Sequence, residues 1–228
     1  MHKRLIICSI FATLALVGIF LFGQPIAALL QRVGGRSFAA LKSKAAAGDY
    51  FPLRVGDSWT YRNTSGDGEY SLNVLNEEKQ ADGSIHYLVE MLSGVKIHSW
   101  FSKTNGWVLL HAERYPEHEG LEAQYKPARP YLQNPFVAGS KWEWNGRDYT
   151  QMERSESNQV VGFEKVTVPA GKFRAIKVVS EVTGGVTPMT KTSWYAEGVG
   201  LVESRTEGGK IKYGWELADY SFKNKASK

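Results

Sequence analysis

His98, His111 and Glu113 are the residues of this chain whose types and spacing suit chemistry. Two imidazoles and a carboxylate form a ligand set that holds transition metals. For them to converge, three strands must run side by side. Ser93-Gly94 and Asn105-Gly106 are turn pairs, and Asn-Gly suits a two-residue hairpin because both positions take positive φ. Counting outward from two-residue loops sets Val89 opposite His98, Tyr87 opposite Trp100, Trp100 opposite His111 and His98 opposite Glu113. Tyr87, His98, Trp100, His111 and Glu113 then share one face, with opposed β-carbons about 4.5–5.5 Å apart. The same residues also read as a polar rim around an aromatic wall, each group satisfied by a neighbour or water. Register decides, because a slip of one residue sends every side chain to the other face.

The opposite face carries Leu88, Leu92, Val95, Ile97, Phe101, Val108 and Leu110, and reads as the core. The first face is half apolar as well, since Val89, Met91 and Leu109 fall on it. That makes Tyr87, Trp100, Trp107, His98 and His111 candidate ligand-binding residues, lining a cavity for an apolar ligand. Packing of a twisted sheet against a covering segment accounts for the same pattern. There is no Gly-x-Ser-x-Gly, phosphate loop, dinucleotide fingerprint or His-Glu-x-x-His. No catalytic residue is therefore assigned, and no cofactor is implied.

The elements that position these residues are strands. Short runs of β-branched and aromatic residues alternate with Asp82-Gly83, Ser93-Gly94, Asn105-Gly106, Asn145-Gly146, Gly184-Gly185 and Gly208-Gly209. The pattern places strands at 57–63, 69–78, 84–92, 95–103, 107–113, 141–145, 147–155, 158–168, 172–183, 186–196, 200–206 and 210–222. A phase slip in the last strand predicts a bulge near Ala218. No stretch past residue 48 sustains a helical period. The expected fold class is all-β: an antiparallel meander of about a dozen strands in two pseudo-repeats, curled as a half-barrel or open barrel, preceded by an N-terminal hydrophobic helix.

The pseudo-repeats span 49–113 and 133–222 within a β domain of 49–222. Each opens on proline, glycine, tryptophan and a second aromatic: Pro52, Gly56, Trp59 and Tyr61, then Pro135, Gly139, Trp142 and Trp144. Ser99-Trp100-Phe101 with Gly106 is echoed by Ser193-Trp194-Tyr195 with Gly200. Between the halves, 114–132 reads as a proline-rich irregular link.

The N-terminus sets the address. Lys3 and Arg4 precede an apolar run from Leu5 to Phe22, so residues 1–30 read as a signal peptide or signal-anchor. Residues 31–48 read as a basic tether with a possible short helix, and 223–228 as a basic tail. The only cysteine, Cys8, lies inside the apolar run, which excludes disulfides from the body. Residues 1–48 hold six Lys/Arg and no acid, leaving 22 basic against 23 acidic residues beyond them. The net charge of +5 thus belongs to residues 1–48, and no nucleic-acid partner is expected.

Trp194-Tyr195-Ala196-Glu197-Gly198-Val199-Gly200-Leu201-Val202, the run Val168-Pro169-Ala170-Gly171 leading into Phe173–Val178, and the Phe51–Tyr61 entry together carry a resemblance. The chain is similar to a loose group of uncharacterised bacterial exported, lipoprotein-like all-β proteins, over roughly residues 50–222. Where those proteins have proline after Trp-Tyr-Ala, this chain has Glu197. The resemblance implies a cell-envelope location, periplasmic or on the outer side of the inner membrane, or secretion. It also implies a curved sheet similar in shape to the half-barrels of periplasmic lipoprotein carriers. The functional expectation is a non-enzymatic exported or membrane-tethered envelope protein binding an apolar ligand, lipid or lipoprotein-carrier-like. The alternatives are a structural or protein-interaction module of the envelope, and a metal-dependent enzyme using His98, His111 and Glu113. The expected partners are the membrane, through the N-terminal segment, and an apolar ligand or envelope protein.

Overall fold

A computed structural model describes residues 48–184 and 187–222. The apolar segment, the tether to residue 47, the basic tail, Gly185 and Val186 lie outside the described residues. Twelve strands follow in chain order. The first six are β1 (Ser58–Asn63), β2 (Glu69–Lys79), β3 (Ile85–Leu92), β4 (Lys96–Thr104), β5 (Trp107–Arg114) and β6 (Glu122–Gln133). The second six are β7 (Lys141–Arg147), β8 (Glu153–Val168), β9 (Gly171–Thr183), β10 (Met189–Ala196), β11 (Gly200–Gly208) and β12 (Ile211–Ser221). They form one antiparallel sheet ordered β6-β5-β4-β3-β2-β1-β12-β11-β10-β9-β8-β7. The meander curls into a nearly closed barrel, and no helix occurs among the described residues.

Alternation builds the wall. Trp59 and Tyr61 on β1, and Trp142 and Trp144 on β7, are buried while their neighbours are not. The two junctions between the strand sets differ. β1 and β12 form a full ladder, with Trp59 opposite Tyr220 and a bulge at Ala218, as the phase slip predicts. β6 and β7 are the sheet's edges and meet at a seam through side chains. Trp107 lies edge-on to Trp142 at 5.8 Å and Tyr125 to Trp144 at 5.7 Å, while Ser140 Oγ donates to Gln133 Oε1.

Residues 48–57 plug one end. Tyr50 and Leu53 are buried, and Tyr50 packs edge-on to Phe136 at 5.2 Å. Phe51 reaches Phe101 at 5.2 Å and Tyr131 at 5.6 Å. Asp49 holds the plug in place. Its carboxylate accepts from Lys103 Nζ at 2.6 Å, Asn134 Nδ2 at 2.9 Å and the Phe51 amide at 3.0 Å. Its carbonyl accepts from the Gly198 amide at 2.7 Å. The β10–β11 turn is tied to β1 as well, through Trp59 Nε1 to the Val199 carbonyl at 2.7 Å and Tyr61 OH to the Leu201 carbonyl at 2.9 Å.

Three expectations are corrected. The link 114–132 is largely strand β6, containing Pro127 and Pro130. Proline cannot donate to a ladder, but β6 pairs on one side only, where prolines are tolerated and keep the edge from recruiting another chain. Asn145-Gly146 is not a turn, because both residues lie inside β7, with Gly146 opposite Arg154. A methyl on Gly146 would sit 2.6 Å from the Trp144 ring, so this glycine serves close approach. The actual reversal falls at 148–152, where Asp148 Oδ1 accepts from the Thr150 amide at 2.8 Å. Finally, Leu92 pairs with Lys96, so the loop after β3 has three residues and the register moves by one.

Candidate functional site

That shift separates the predicted constellation. Val89 faces Ser99 and Tyr87 faces Phe101. The Asn105-Gly106 loop does have two residues, with Thr104 opposite Trp107. A bulge at His111 then sets Trp100 opposite Ala112 and Ser99 opposite Glu113. Tyr87 and Glu113 therefore share the inner face with Phe101 and Ser99, whereas His98 and Trp100 lie on the outer wall. Leu88, opposite Trp100, and Leu92, 42% exposed, leave the expected core, and Val89 and Met91 replace them.

The outer-wall residues contact one another. His98 Nε2 lies 3.2 Å from Glu90 Oε2. His111 stacks on His86 with ring centroids 3.8 Å apart, and its Nε2 is 2.8 Å from Ser102 Oγ. Burial, then the neighbouring His86, hold the His111 imidazole below its ordinary pKa. The Arg114 guanidinium lies 5.6 Å over the Trp100 ring. Among the described residues, no three His, Cys, Asp or Glu side chains gather closely enough to hold a metal ion. The set His98, His111 and Glu113 is not assembled. Trp107, the remaining sequence candidate, packs at the seam.

The inner face holds a different site. Inside the barrel is a cavity of about 180 Å3. Phe51, Phe101, Met91, Ile97 and Tyr131 supply apolar wall, and six charged side chains complete the lining: Glu113, Arg129, Asp148, Arg154, Glu156 and Lys191. Strand alternation aims those on β8 and β10 inward. Arg154, Glu156 and Asn158 occupy successive inward positions of β8, and Lys191, Ser193 and Tyr195 do the same on β10.

Most of these charges are paired. Arg129 donates to Glu156 Oε1 at 2.5 Å, and its guanidinium lies 4.2 Å over the Trp144 ring. Arg154 Nε donates to Asp148 Oδ2 at 2.9 Å, and its Nη1 donates to the Gly184 carbonyl. Tyr125 OH donates to Glu113 Oε2 at 2.6 Å. Burial pushes the Glu113 carboxyl above the ordinary range despite Arg129 nearby. Burial also lowers Lys191, which Glu156 opposes. Burial disfavours the Arg129 charge, but Glu156 and Glu113 more than restore it. Ser180 Oγ donates to Asn158 Oδ1 at 2.6 Å.

Sequence reasoning missed five of the six charges for a physical reason. Glu153-Arg154-Ser155-Glu156-Ser157-Asn158 has no apolar residue in either phase, so nothing local marks which side turns inward. Arg129 lies on the edge strand that its prolines disguise. Only Glu113 was named, and for a different chemistry.

A DUF3108-like family model matches residues 137–211. That span runs from just before β7 to the first residue of β12, about a third of the chain. No curated protein matches the sequence. Among solved structures, the chain resembles a protein from Bacteroides fragilis classed as exported, with a YmcC-like fold. It is 14% identical, with a TM-score of 0.50 over 77% of this chain and 100% of that one. A protein from Parabacteroides distasonis classed as a lipoprotein is 15% identical, with a TM-score of 0.49 over 76% of this chain and 99% of that one. At such identities the likeness to the Bacteroides protein is one of fold.

Proposed function

We propose that this protein is an exported component of the bacterial cell envelope whose barrel binds a compact, partly apolar ligand in its interior. The N-terminal segment, basic residues followed by an 18-residue-class apolar run from Leu5 to Phe22, supports export and attachment to the membrane. The observation that carries the binding reading is the interior cavity, aromatic and aliphatic on part of its lining and charged on the rest. Burying six charges costs several kcal/mol per ion before pairing offsets it. A barrel built only to be solid would be served as well by apolar side chains at those positions.

The cavity's size narrows the ligand. An engineered apolar cavity of about 150 Å3 holds benzene, and drug-sized ligands occupy roughly 300–1,000 Å3. A cavity of about 180 Å3 therefore takes one ring or a short chain, and the several acyl chains of a lipoprotein exceed it. The test is native mass spectrometry of the full chain from its host's envelope fraction, beside a cavity-filled Ser99→Phe variant. A small retained mass in the wild type that is absent from a folded Ser99→Phe supports binding inside the barrel. Retention of the same mass by both proteins places it elsewhere and refutes the reading.

A further inference from the structure

We propose that the solvent face of the β8–β9 hairpin docks on anionic lipid headgroups, with Lys165, Lys172 and Arg174 meeting the phosphates and Phe163 entering the interface beside them. The inference rests on the reading above that the N-terminal segment attaches the chain to a membrane. It adds the surface that the barrel turns toward the lipid. Residues 165–174 form a hairpin tip beyond the β9–β10 ladder, which ends with Ala175 opposite Ala196. One face of the hairpin is seated on the barrel. Val166 and Val168 are buried, and Phe173, opposite Val166, lies 6.4 Å from the Tyr220 ring. Glu164 Oε2 accepts from Trp194 Nε1 at 2.8 Å, and the Ala170 amide donates to the Leu217 carbonyl at 3.0 Å. These contacts fix the tip and leave its other face outward.

That outward face is basic and partly apolar. Lys165 stands opposite Arg174 and Thr167 opposite Lys172, and all four are exposed. Phe163, next along the same face, is 38% exposed, and the Arg174 guanidinium lies 3.7 Å over its ring. Val161, the extra residue of the neighbouring bulge, is 51% exposed. None of these positions is acidic, and Glu164 is engaged on the other face. Like charges directly opposite one another destabilise a sheet, and an anionic surface relieves that repulsion. Basic residues beside an exposed aromatic ring are what an anionic bilayer surface holds. The hairpin also stands where the N-terminal segment joins the barrel. A methyl on Gly48 would run into the Glu197 carboxylate of the β10–β11 turn, and the Gly198 amide donates to the Asp49 carbonyl at 2.7 Å. Burial and then Glu197 push the Tyr50 hydroxyl pKa up, while Arg174 pulls it down, so Arg174 lies within electrostatic reach of the plug. The three basic residues outnumber Glu197 at this end. Covalent attachment through a short segment gives an effective concentration of about the millimolar range, so a weak surface contact suffices.

The experiment reconstitutes the full chain, carrying Cys8→Ser and Thr167→Cys with an environment-sensitive fluorophore at position 167, into two kinds of vesicle. One is phosphatidylcholine alone and the other is phosphatidylcholine mixed with phosphatidylglycerol. Flotation with the vesicles reads attachment, and quenching of the fluorophore by nitroxide-bearing lipids reads docking of the hairpin. Quenching is expected on the anionic vesicles and not on the neutral ones. It should be lost in about 1 M salt, where the Debye length shrinks to about 3 Å. Each basic residue near an anionic surface is worth about fivefold, so Lys165→Gln/Lys172→Gln/Arg174→Gln should lower the docked-to-free ratio roughly a hundredfold. The triple variant relieves a cross-strand repulsion, and an unchanged near-ultraviolet circular dichroism spectrum would show that it is folded. Phe163→Ser should lower the ratio several-fold. A chain that floats with both vesicles while the fluorophore stays unquenched on both overturns the inference and leaves the attachment reading intact. Equal quenching on both vesicles that the triple variant does not change also overturns it. Docking on native envelope membranes but not on vesicles of their extracted lipids would assign the face to a protein partner and overturn it. A chain that floats with neither vesicle removes the attachment reading and the inference together.

Discussion

Replacing Asp49 with alanine should unfasten the plug without unfolding the barrel. Three side-chain hydrogen bonds are lost, to Lys103, Asn134 and the Phe51 amide. The Asp49 side chain is 46% exposed, so the Lys103 pair contributes at the solvent-screened end, about 0.5–1 kcal/mol. The other two bonds add about 0.5–1 kcal/mol each. The sum is about 2 kcal/mol, a fall of roughly thirtyfold in local protection. Hydrogen exchange should report it in two peptides, 50–57 and 196–200, because the Gly198 amide bonds to the Asp49 carbonyl. Amides of β4 and β9 should keep their protection. Asp49→Asn retains part of the network and should fall between. Burial alone would raise the Asp49 pKa, but Lys103, Asn134 and the Phe51 amide together hold it below 3.8. A depressed carboxylate stabilises the fold above its unfolded pKa and stops doing so as pH falls through the folded value. Wild-type protection of the plug should therefore fade below about pH 4, and that of Asp49→Asn should not. Unchanged exchange in both peptides, or a loss spread evenly over all strands, would refute the reasoning.

Glu113 behaves with the opposite sign. Its folded pKa is raised above 4.5 by burial, so its favourable contribution is present below that value and lost as pH rises through the folded pKa. Glu113→Gln should therefore melt higher than wild type at neutral pH, and the gap should close near pH 4. Arg129→Ala strands Glu156 in a buried site and should cost about 3–5 kcal/mol in urea unfolding, whereas the double variant Arg129→Met/Glu156→Met should recover most of it. Gly198 has φ 71° with open space around a would-be methyl, so Gly198→Ala costs only strain, about 1–2 kcal/mol. Gly146→Ala drives a methyl into the Trp144 ring and should lower the melting temperature further than Gly198→Ala does.

Local order was written in the sequence by itself. β-branched and aromatic residues at period two, separated by Asn105-Gly106, Asp82-Gly83 and similar pairs, specify strands and turns, because turn geometry and pleat alternation need only a few neighbouring residues. The bulge at Ala218 was legible for the same reason, as a slip of phase within one strand. What faces what was decided by tertiary structure. One extra residue in the loop at 93–95 and a bulge at His111 turn Val89, Met91 and Glu113 inward and leave His98 and Trp100 outside. Nothing in either segment alone fixes that parity. The edge strand β6 became possible because its prolines need to pair on one side only. The cavity itself required the curl of the sheet, which brings Arg129 to Glu156 and to the neighbourhood of Lys191 across the seam, while Glu113 reaches it from the paired strand β5. Alternation is a property of one strand, but register and closure are set by every turn and bulge between the strands that meet.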